Sequence, residues 1–571
     1  MRSLTDAVIL TSMLGFGLGG CAQASDVGEP ADVVFVGDNI VTMDPGQPTV
    51  EAVAVRGETI VAAGSMDDVM ALEGARTRVV DLADQALLPG FIDAHGHILY
   101  TGTTLDQLSL HPPPVGNVSN IDDIVREIRA WIEEKDIPPG ELVIGGGYDD
   151  SLLEEGLHPT RYDLDRASTD HQIVLTHVSG HLRAVNSAAL AASDITAATE
   201  DPEGGHIRRV EGSMEPNGVL EEGAGRLIVG GDAGFDPGGD IDDLLRRTID
   251  VYTSYGTTTI QNGGGTSPEQ VAAFRAAAER EPFNADIGAY TSVEAIVDGD
   301  LEYEPTYSNG FRVAGVKFML DGSPQGRTAW VTEPYNEGPP GAPADYRAYG
   351  AGNAAAGTYK SGAAALIERG VPYLAHANGD AAMDLHLDGV EEAIADMDEV
   401  PDHRSVIIHA QLMRADQLDR AAELGVIPSF FAAHTFFWGD WHVRSFGEDR
   451  GTNVSPARWA IDRGVNFTIH NDAPVVPPHI MRLVSIAVNR KSRSGRVLGP
   501  DQRLTVQEAL HAVTLGAAYQ YFEEDTKGSI TVGKQADLVI LGENPLTSDP
   551  AELEHIPIVE TFSRGRSVFN R

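Results

Sequence analysis

The 571-residue sequence predicts an α/β protein, a distorted (β/α)8 TIM barrel with a small β-sandwich built from both ends of the chain and an inserted excursion after the first barrel strand. Three observations lead to this fold. Short alternating apolar strands occur near both termini, strand and helix patterns alternate between them, and polar residues follow the apolar runs of that middle region.

The terminal segments have the pattern of a β domain. Near the amino terminus, Val33-Val-Phe-Val36 and Thr49 to Val55 read as short strands separated by Gly, Pro and Asp residues. A matching set that includes Leu538 to Leu541 closes the chain. Strands at both ends of a long middle segment imply one composite domain, for which we predict the limits 30–88 and 500–571.

Residues 89–499 have the repeating strand and helix pattern of the predicted barrel. The gap between the first two strands is too long for one crossover, so residues of about 105 to 240 are predicted to form an excursion above the barrel mouth. The eight predicted strands end near His97, Gly263, Ser292, Gly322, Gly379, Gln411, His434 and Asp472.

The first 21 residues are typical of an export signal. The apolar stretch from Ala7 to Leu18 is too short to span a bilayer comfortably. It ends Leu18-Gly-Gly-Cys21, which is similar to a bacterial lipoprotein signal, so we predict a signal peptide over 1–21 and lipid attachment at Cys21. The alternative is an ordinary signal peptide with a chance cysteine. With Ala22 next, the prediction is a lipoprotein on the periplasmic face of the outer membrane.

The formal net charge of −44 limits the possible partners. It argues against nucleic acid, whose phosphates need cationic partners, and against anionic lipid except through the acyl anchor. The single cysteine leaves no disulfide and no thiolate zinc site in the mature chain. We therefore predict that the protein acts on a small-molecule substrate and does not bind nucleic acid. We expect it to contact the membrane through a lipid anchor only, and a second copy of the chain, in a homodimer, is the candidate protein partner.

The segment Leu88-Pro-Gly-Phe-Ile-Asp-Ala-His-Gly-His97 carries the strongest functional signal. Strand side chains alternate between faces, so its two imidazoles point the same way and can begin a transition-metal site. Taken alone, His-x-His also occurs on ordinary surface strands. The ends of later apolar runs supply Lys317, His376, His409 and Asp472. These donors suit zinc, with manganese, iron, cobalt or nickel as alternatives.

The position of these residues favours function over packing. An unpaired ammonium in the apolar strand that contains Lys317 would be costly, so this lysine needs a partner or a depressed pKa. A single histidine such as His409 could be a hydrogen-bonded core residue. All of them together at the carboxyl ends of barrel strands, where barrel enzymes build their sites, indicate a metal site.

These motifs resemble the amidohydrolase superfamily, and within it the YtcJ-like branch (amidohydrolase family 3 type). The resemblance runs from Asp32 to Phe569 and says little about the substrate, because the branch is broad. The matching segments are Pro89 to His97, Gly146 to Asp149, Pro159 to Arg161, His181 to Leu190, Val316 to Gly322, His376 to Asp380, Ile408 to Gln411, Asn471 to Val475 and Gly528 to Val539.

The resemblance implies a site for one or two divalent metal ions, zinc first. Lys317, carboxylated in many binuclear relatives, would bridge the two ions. The motif after the last strand departs from the usual Gly-Ser-Asp or Ser-Asp, and we expect His470 to pack rather than to face the site. The implied metal ligands are His95, His97, Lys317, His376, His409 and Asp472.

The resemblance also implies a hydrolase of an amide-type C–N bond in a small molecule. Asp472 would act as the general base, and His181 or Tyr148 would stabilise the oxyanion, although His181 could equally anchor the excursion by a hydrogen bond. An esterase or lactonase on the same metal site is the alternative. A third hypothesis is a non-catalytic lipoprotein that only binds a small molecule; such a protein would be expected to lack one or more of the metal-binding residues. The predicted substrate-binding residues are Asp149, Asp321, Arg327, Trp330 and His434.

Overall fold

The computed structural model describes residues 29–202, 204–229, 240–339, 341–348, 350 and 352–571. The predicted signal peptide, with its lipid-attachment residue Cys21, lies outside the described residues. Among the helices of the described part, none is both long enough and apolar enough to cross a membrane.

Eight parallel strands form the central sheet, here called the barrel sheet, and they are neighbours in the order of the chain. The predicted parallel α/β sheet is confirmed. Each strand ends a few residues before its predicted end, because the chain leaves regular pairing at the polar residues. The strands are Phe91–Ile92, Thr257–Asn262, Asp286–Thr291, Phe311–Met319, Tyr373–Ala377, Val406–His409, Ile427–Phe430 and Thr468–Ile469.

The first and eighth strands of the barrel sheet are joined just beyond their ends. The backbone N–H of Asp472 donates to the carbonyl oxygen of His95 at 3.0 Å, and that of His97 donates to Ala473 at 2.9 Å. The sheet therefore curls until its two edges meet at predicted site residues.

Helices between and after these strands bury their apolar faces against the sheet. The ring of Phe274, for example, belongs to the same core as Ile260 and Ile287 of the sheet. Ser267 and Gln270 form a capping box that begins one of these helices. The helices are Ile241–Ser254, Pro268–Arg280, Val293–Val297, Gly352–Arg369, Asp380–Ile394, Ala415–Leu424, His434–Phe437, Gly439–Phe446, Glu448–Thr452, Ala457–Asp462, Ile480–Asn489, Val506–Ala512 and Leu515–Gln520.

Strands from both ends of the chain form a second, mixed eight-stranded sheet. The rings of Phe35 and Phe562 meet in its core with their centroids 5.1 Å apart. The two-layer sandwich and the predicted domain limits stay predictions. The strands are Val33–Val41, Thr49–Arg56, Thr59–Gly64, Arg78–Asp81, Ala86–Pro89, Leu538–Leu541, Ile558–Ser563 and Arg566–Asn570, with a short helix at Met66–Met70.

Between the first two barrel strands the chain forms a six-stranded sheet of its own, here called the excursion together with its helices. Val143, Tyr148 and Ile173 belong to its separate apolar core. The predicted limits of the excursion stay a prediction. Its strands are Leu108–Ser109, Leu142–Tyr148, Gln172–His177, Leu182–Val185, Gly205–Arg209 and Pro216–Glu222, and its helices are Ile98–Thr104, Ile121–Glu134, Arg161–Asp165 and Ser187–Ala192, with 3₁₀ turns at Asp150–Leu152 and Gly223–Leu227.

Candidate metal centre

Two histidines after the first barrel strand meet a carboxylate that follows the eighth. The Nε2 atoms of His95 and His97 lie 3.6 Å and 3.1 Å from Oδ1 of Asp472. Asp472 has a φ of 54°, in the left-handed region that is uncommon for a residue with a Cβ. The sharp turn at this residue places its carboxylate opposite the two imidazoles.

A buried glutamine fixes the ring of His95. The side-chain amide N–H of Gln261 donates to the Ala94 carbonyl at 3.1 Å, and its Oε1 lies 2.5 Å from Nδ1 of His95. The oxygen must therefore accept the Nδ1 proton of the neutral ring. Burial lowers the pKa of His95 well below its usual value, which keeps the ring neutral. Its Nε2 atom then presents the lone pair that a metal ligand needs.

Lys317 reaches the same point from the fourth barrel strand. Its Nζ atom lies 2.9 Å from Nε2 of His95. Burial lowers the pKa of Lys317 to about 7, although the charge of Asp472 opposes this shift. An amine that is partly neutral at physiological pH can attack CO2, which is the step that carboxylation of a lysine requires.

The fifth and sixth barrel strands supply a second pair of histidines. Nδ1 of His376 lies 3.0 Å from Nε2 of His409. The other nitrogen of His376 lies 3.0 Å from the carbonyl oxygen of Gly322, so its N–H donates there and Nδ1 is left facing His409. Burial lowers the pKa of both rings, so both are neutral.

His470 lies directly behind His409. Its Nε2 atom is 3.1 Å from Nδ1 of His409, and its own Nδ1 is 2.8 Å from the Ser429 hydroxyl. The ring also stacks on Phe431. The ring therefore packs in the interior, and it also holds His409 in the orientation that turns Nε2 toward His376.

The six predicted ligand residues fit a divalent metal ion. Zinc–nitrogen bonds of ~2.0 Å in a tetrahedral site place neighbouring donor atoms ~3.3 Å apart. The donor pairs that meet here are 2.9 Å to 3.6 Å apart. One atom each of His95, His97 and Asp472 lies within 4.8 Å of the other two. Imidazole and carboxylate donors suit zinc and similar divalent ions.

The excursion brings His181 to the edge of this centre. Its ring centroid lies 5.7 Å from that of His376, and its Nδ1 atom lies 2.8 Å from Oε2 of Glu222. Burial alone would lower the pKa of His181, but the charge of Glu222 and the hydrogen bond to it outweigh burial and raise it. Sequence reasoning missed Glu222, which ends the mixed polar and apolar strand Pro216–Glu222 and has no motif around it.

Tyr148 and Asp149 lie within the excursion. The hydroxyl of Tyr148 is 3.2 Å from Nδ1 of His158, and its ring packs edge-on against His177. Asp149 accepts a hydrogen bond from the indole N–H of Trp438 at 2.5 Å. The structure thus brings Tyr148 together with the excursion histidines and not with the six ligand residues, and its catalytic role stays a prediction.

Asp321 joins the loops that follow the fourth and fifth barrel strands. Its carboxylate accepts backbone N–H groups of Trp330, Asn378 and Gly379 at 3.0 Å, 2.9 Å and 2.7 Å. Its Oδ1 atom also lies 3.5 Å from Nε2 of His376. These contacts give Asp321 a role in fixing the two loops beside the centre.

The other predicted substrate-binding residues contact protein groups. The guanidinium of Arg327 pairs with Glu337 at 2.8 Å and lies over the ring of Trp441. His434 stacks on His442, with their nearest nitrogens 2.8 Å apart. The side chain of Trp330 packs against the main core. Substrate contact by these residues, and by Asp149 and Asp321, stays a prediction.

Comparison with known proteins identifies the family. The model described as the amidohydrolase family matches residues 78–569. The chain is 26% identical to N-substituted formamide deformylase of Arthrobacter pascens, over 94% of this chain and 97% of that protein. It is 27% identical to the putative amidohydrolase YtcJ of Bacillus subtilis, over 94% of this chain and 99% of that protein.

A solved structure shares the fold. The chain aligns with an uncharacterized metal-dependent hydrolase from Pyrococcus horikoshii with a TM-score of 0.69 and 21% identity, covering 91% of this chain and 99% of that one. The chain belongs to the amidohydrolase family, and it is a hydrolase of the class that acts on carbon–nitrogen bonds. The resemblance seen in the sequence motifs is confirmed.

Proposed function

We propose that the protein hydrolyses an amide-type C–N bond of a small molecule at a metal centre held by the six ligand residues. The observation that carries the proposal is the meeting of imidazole, amine and carboxylate donors at the carboxyl ends of five barrel strands, the first, fourth, fifth, sixth and eighth. The similarity to a protein named N-substituted formamide deformylase supports a small N-substituted amide as the substrate class.

We propose one or two divalent ions, zinc first. His95, His97 and Asp472 would hold one ion, and His376 and His409 the other, with Lys317 between them, carboxylated in the binuclear form. When bound, the metal lowers the pKa of water and polarises a carbonyl oxygen.

Asp472 is the proposed general base. Burial would raise the pKa of its carboxyl, but the hydrogen bond and charge of His97 lead the contributions that hold it below the usual value. The group is therefore ionised at neutral pH and can accept the proton of the attacking water. It would then return that proton to the nitrogen of the leaving amine.

His181 would act from the edge of the centre, beside His376. Its Nδ1 atom is occupied by Glu222, which leaves Nε2 as the donor toward the site. A donor at this edge would stabilise the negative charge that develops on the carbonyl oxygen.

We also propose that the protein is exported and held at the membrane by a lipid anchor, that its partner is a small-molecule substrate, and that it forms a homodimer.

Substrate screening with metal analysis tests this function. Purified protein would be assayed against matched series of N-substituted formamides, longer amides, esters and lactones. We expect turnover of amides, loss of activity on chelation and recovery with Zn²⁺. If only esters or lactones are hydrolysed, the proposed C–N bond is wrong and the protein is an esterase or lactonase. If the metal-loaded protein hydrolyses none of these substrates, a binding role is favoured.

The ligand assignment is tested by His95→Ala. We expect loss of most of the metal bound at the centre and a fall in kcat/KM of about 100-fold or more. The matched control is His206→Ala, an exposed excursion histidine paired with Asp201. Full metal retention in His95→Ala would overturn the assignment.

A further inference from the structure

Four ionisable side chains meet in the excursion, away from the six ligand residues. Asp149 and Asp150 follow the strand Leu142–Tyr148, His177 ends the strand Gln172–His177, and His158 lies between them in the chain. Nε2 of His177 lies 3.1 Å from Oδ1 of Asp150 and 3.9 Å from Oδ1 of Asp149. Nε2 of His158 lies 3.4 Å from Oδ2 of Asp150. We call these four residues the excursion cluster.

Both histidines of the excursion cluster are oriented from behind. Nδ1 of His177 lies 2.8 Å from the hydroxyl of Ser179, and Nδ1 of His158 lies 3.2 Å from that of Tyr148. The backbone N–H of Ser179 also donates to Nδ1 of His177, at 3.2 Å. These contacts turn Nε2 of each ring toward the carboxylates, and the Ser179 hydroxyl can accept the Nδ1 proton that a metal-bound His177 would carry.

The Nε2 atom of His177 is an independent indication of a ligand. The side chains of His177 and Asp149 are 0% and 1% exposed, so water does not reach them from outside. Within the described residues this nitrogen makes no hydrogen bond, although Asp150 is close. A buried nitrogen that lies near a carboxylate without a hydrogen bond to it is the arrangement expected when both face one cation.

The carboxylates of the excursion cluster face histidines rather than a lysine or an arginine. Asp149 and Asp150 are adjacent and buried, and within the described chain neither forms an ion pair with a lysine or arginine. Arg208, which acts on Asp150 through space, pairs with Glu221. Buried carboxylates without a paired cation are costly.

We propose that the excursion cluster binds one divalent transition-metal ion, with zinc as the first candidate, through His177, Asp150 and Asp149, because one donor atom of each lies within 4.8 Å of the other two. An imidazole and two carboxylates suit zinc, and the 3.1 Å contact between His177 and Asp150 matches the ~3.3 Å donor spacing of a tetrahedral ion. The indole of Trp438 links Asp149 to the loop after the seventh barrel strand. The ion would therefore fix the excursion over the barrel. The metal of this site is separate from that of the proposed function, because none of its ligands is one of the six ligand residues.

Metal counting in the full-length protein tests the site. Asp150→Asn keeps the size of the side chain and removes its charge, so it should lose one equivalent of zinc relative to the unsubstituted protein. Asp165→Asn is the matched control, because Asp165 is an excursion carboxylate that accepts only from Ser187 and has no histidine contact in the structure. It should retain the full metal content. Equal metal content in both variants, with both folded by circular dichroism, would overturn the proposal.

A second experiment, in a variant whose candidate centre is disabled, separates this site from that centre. It also provides a test if Asp150→Asn fails to fold. His95→Ala with His376→Ala disables the centre, and titration of this protein with Co²⁺ should still show one tight equivalent with the absorption of a tetrahedral ion. Adding His177→Gln should abolish that signal. Absence of a tight equivalent in the folded double variant would reject the excursion site and would leave the hydrolase proposal unaffected.

Discussion

The histidines of the candidate centre are oriented by protein partners before any metal binds. Gln261 holds Nδ1 of His95, the carbonyl of Gly322 holds Nε2 of His376, and His470 holds Nδ1 of His409. Each partner leaves the opposite ring nitrogen turned toward the centre. Such outer contacts typically change metal affinity or activity by ~10- to 100-fold when they are lost, so these partners are part of the site.

Lys317 is the residue whose chemistry the structure constrains most directly. If it is carboxylated and bridges two ions, Lys317→Ala should lose one metal equivalent, because the second ion loses its anionic ligand. Activity should fall by about 100-fold or more and should recover in part with added short-chain carboxylic acids, which can occupy the vacated space. Metal analysis and the rescue assay measure both effects.

Exposed Lys360 provides the control for this substitution. It pairs with Glu392 on the outer helices, so Lys360→Ala should leave metal content and activity unchanged. Unchanged metal content in Lys317→Ala would instead indicate a mononuclear centre in which the lysine only stabilises charge.

At the scale of elements, loops after neighbouring barrel strands are joined by one carboxylate. Asp321 accepts three backbone N–H groups from segments that follow the fourth and fifth strands. The same segments carry Gly322 and Asn378, both in contact with Nε2 of His376. The position of this ligand therefore depends on the joined loops.

Asp321→Asn should destabilise these loops. An amide has the size of the carboxylate but turns an NH₂ group toward backbone donors, so at least one buried N–H loses its acceptor. We expect a loss of ~1–3 kcal/mol in the free energy of unfolding and weaker metal binding, measured by urea titration and metal analysis. Asp388→Asn, at a partly exposed ion pair with Arg420, is the control. Wild-type stability and metal content in Asp321→Asn would contradict this role.

The sequence predicted the barrel strands well because most of them are apolar runs that end in polar residues, although Thr257–Asn262 is mainly polar. The pairing of His95, His97 and Asp472 could also be anticipated, since carboxyl ends of parallel strands meet at one edge. Gln261 and Glu222 could not, because their roles depend on side-chain contacts between segments far apart in the chain. The separate sheet of the excursion was missed for the same reason.

At the scale of the whole molecule, strands that precede the barrel and strands that follow it pair in one sheet, so the two ends of the barrel segment are held together. Ala86–Pro89, just before the first barrel strand, pairs antiparallel with Leu538–Leu541. Buried ion pairs extend this junction into the barrel, since Lys527 contacts Asp286 at 2.5 Å and Glu523 at 3.0 Å. The terminal sheet thus anchors the barrel at a distance from its catalytic edge.

We predict that the location of the protein in the cell and its catalysis depend on different parts of the chain. Leu18-Gly-Gly-Cys21 should direct lipid attachment at the cysteine. Because an anchor with several acyl chains, as expected for a bacterial lipoprotein, binds a membrane firmly, Cys21→Ser should move the protein from the membrane to the soluble fraction. Ser25→Ala is the control and should stay in the membrane fraction. A protein that begins at Ala22 should keep its kcat/KM, since the candidate centre starts at His95. Wild-type protein found entirely soluble in the native host would refute the anchor and leave the hydrolase proposal unaffected.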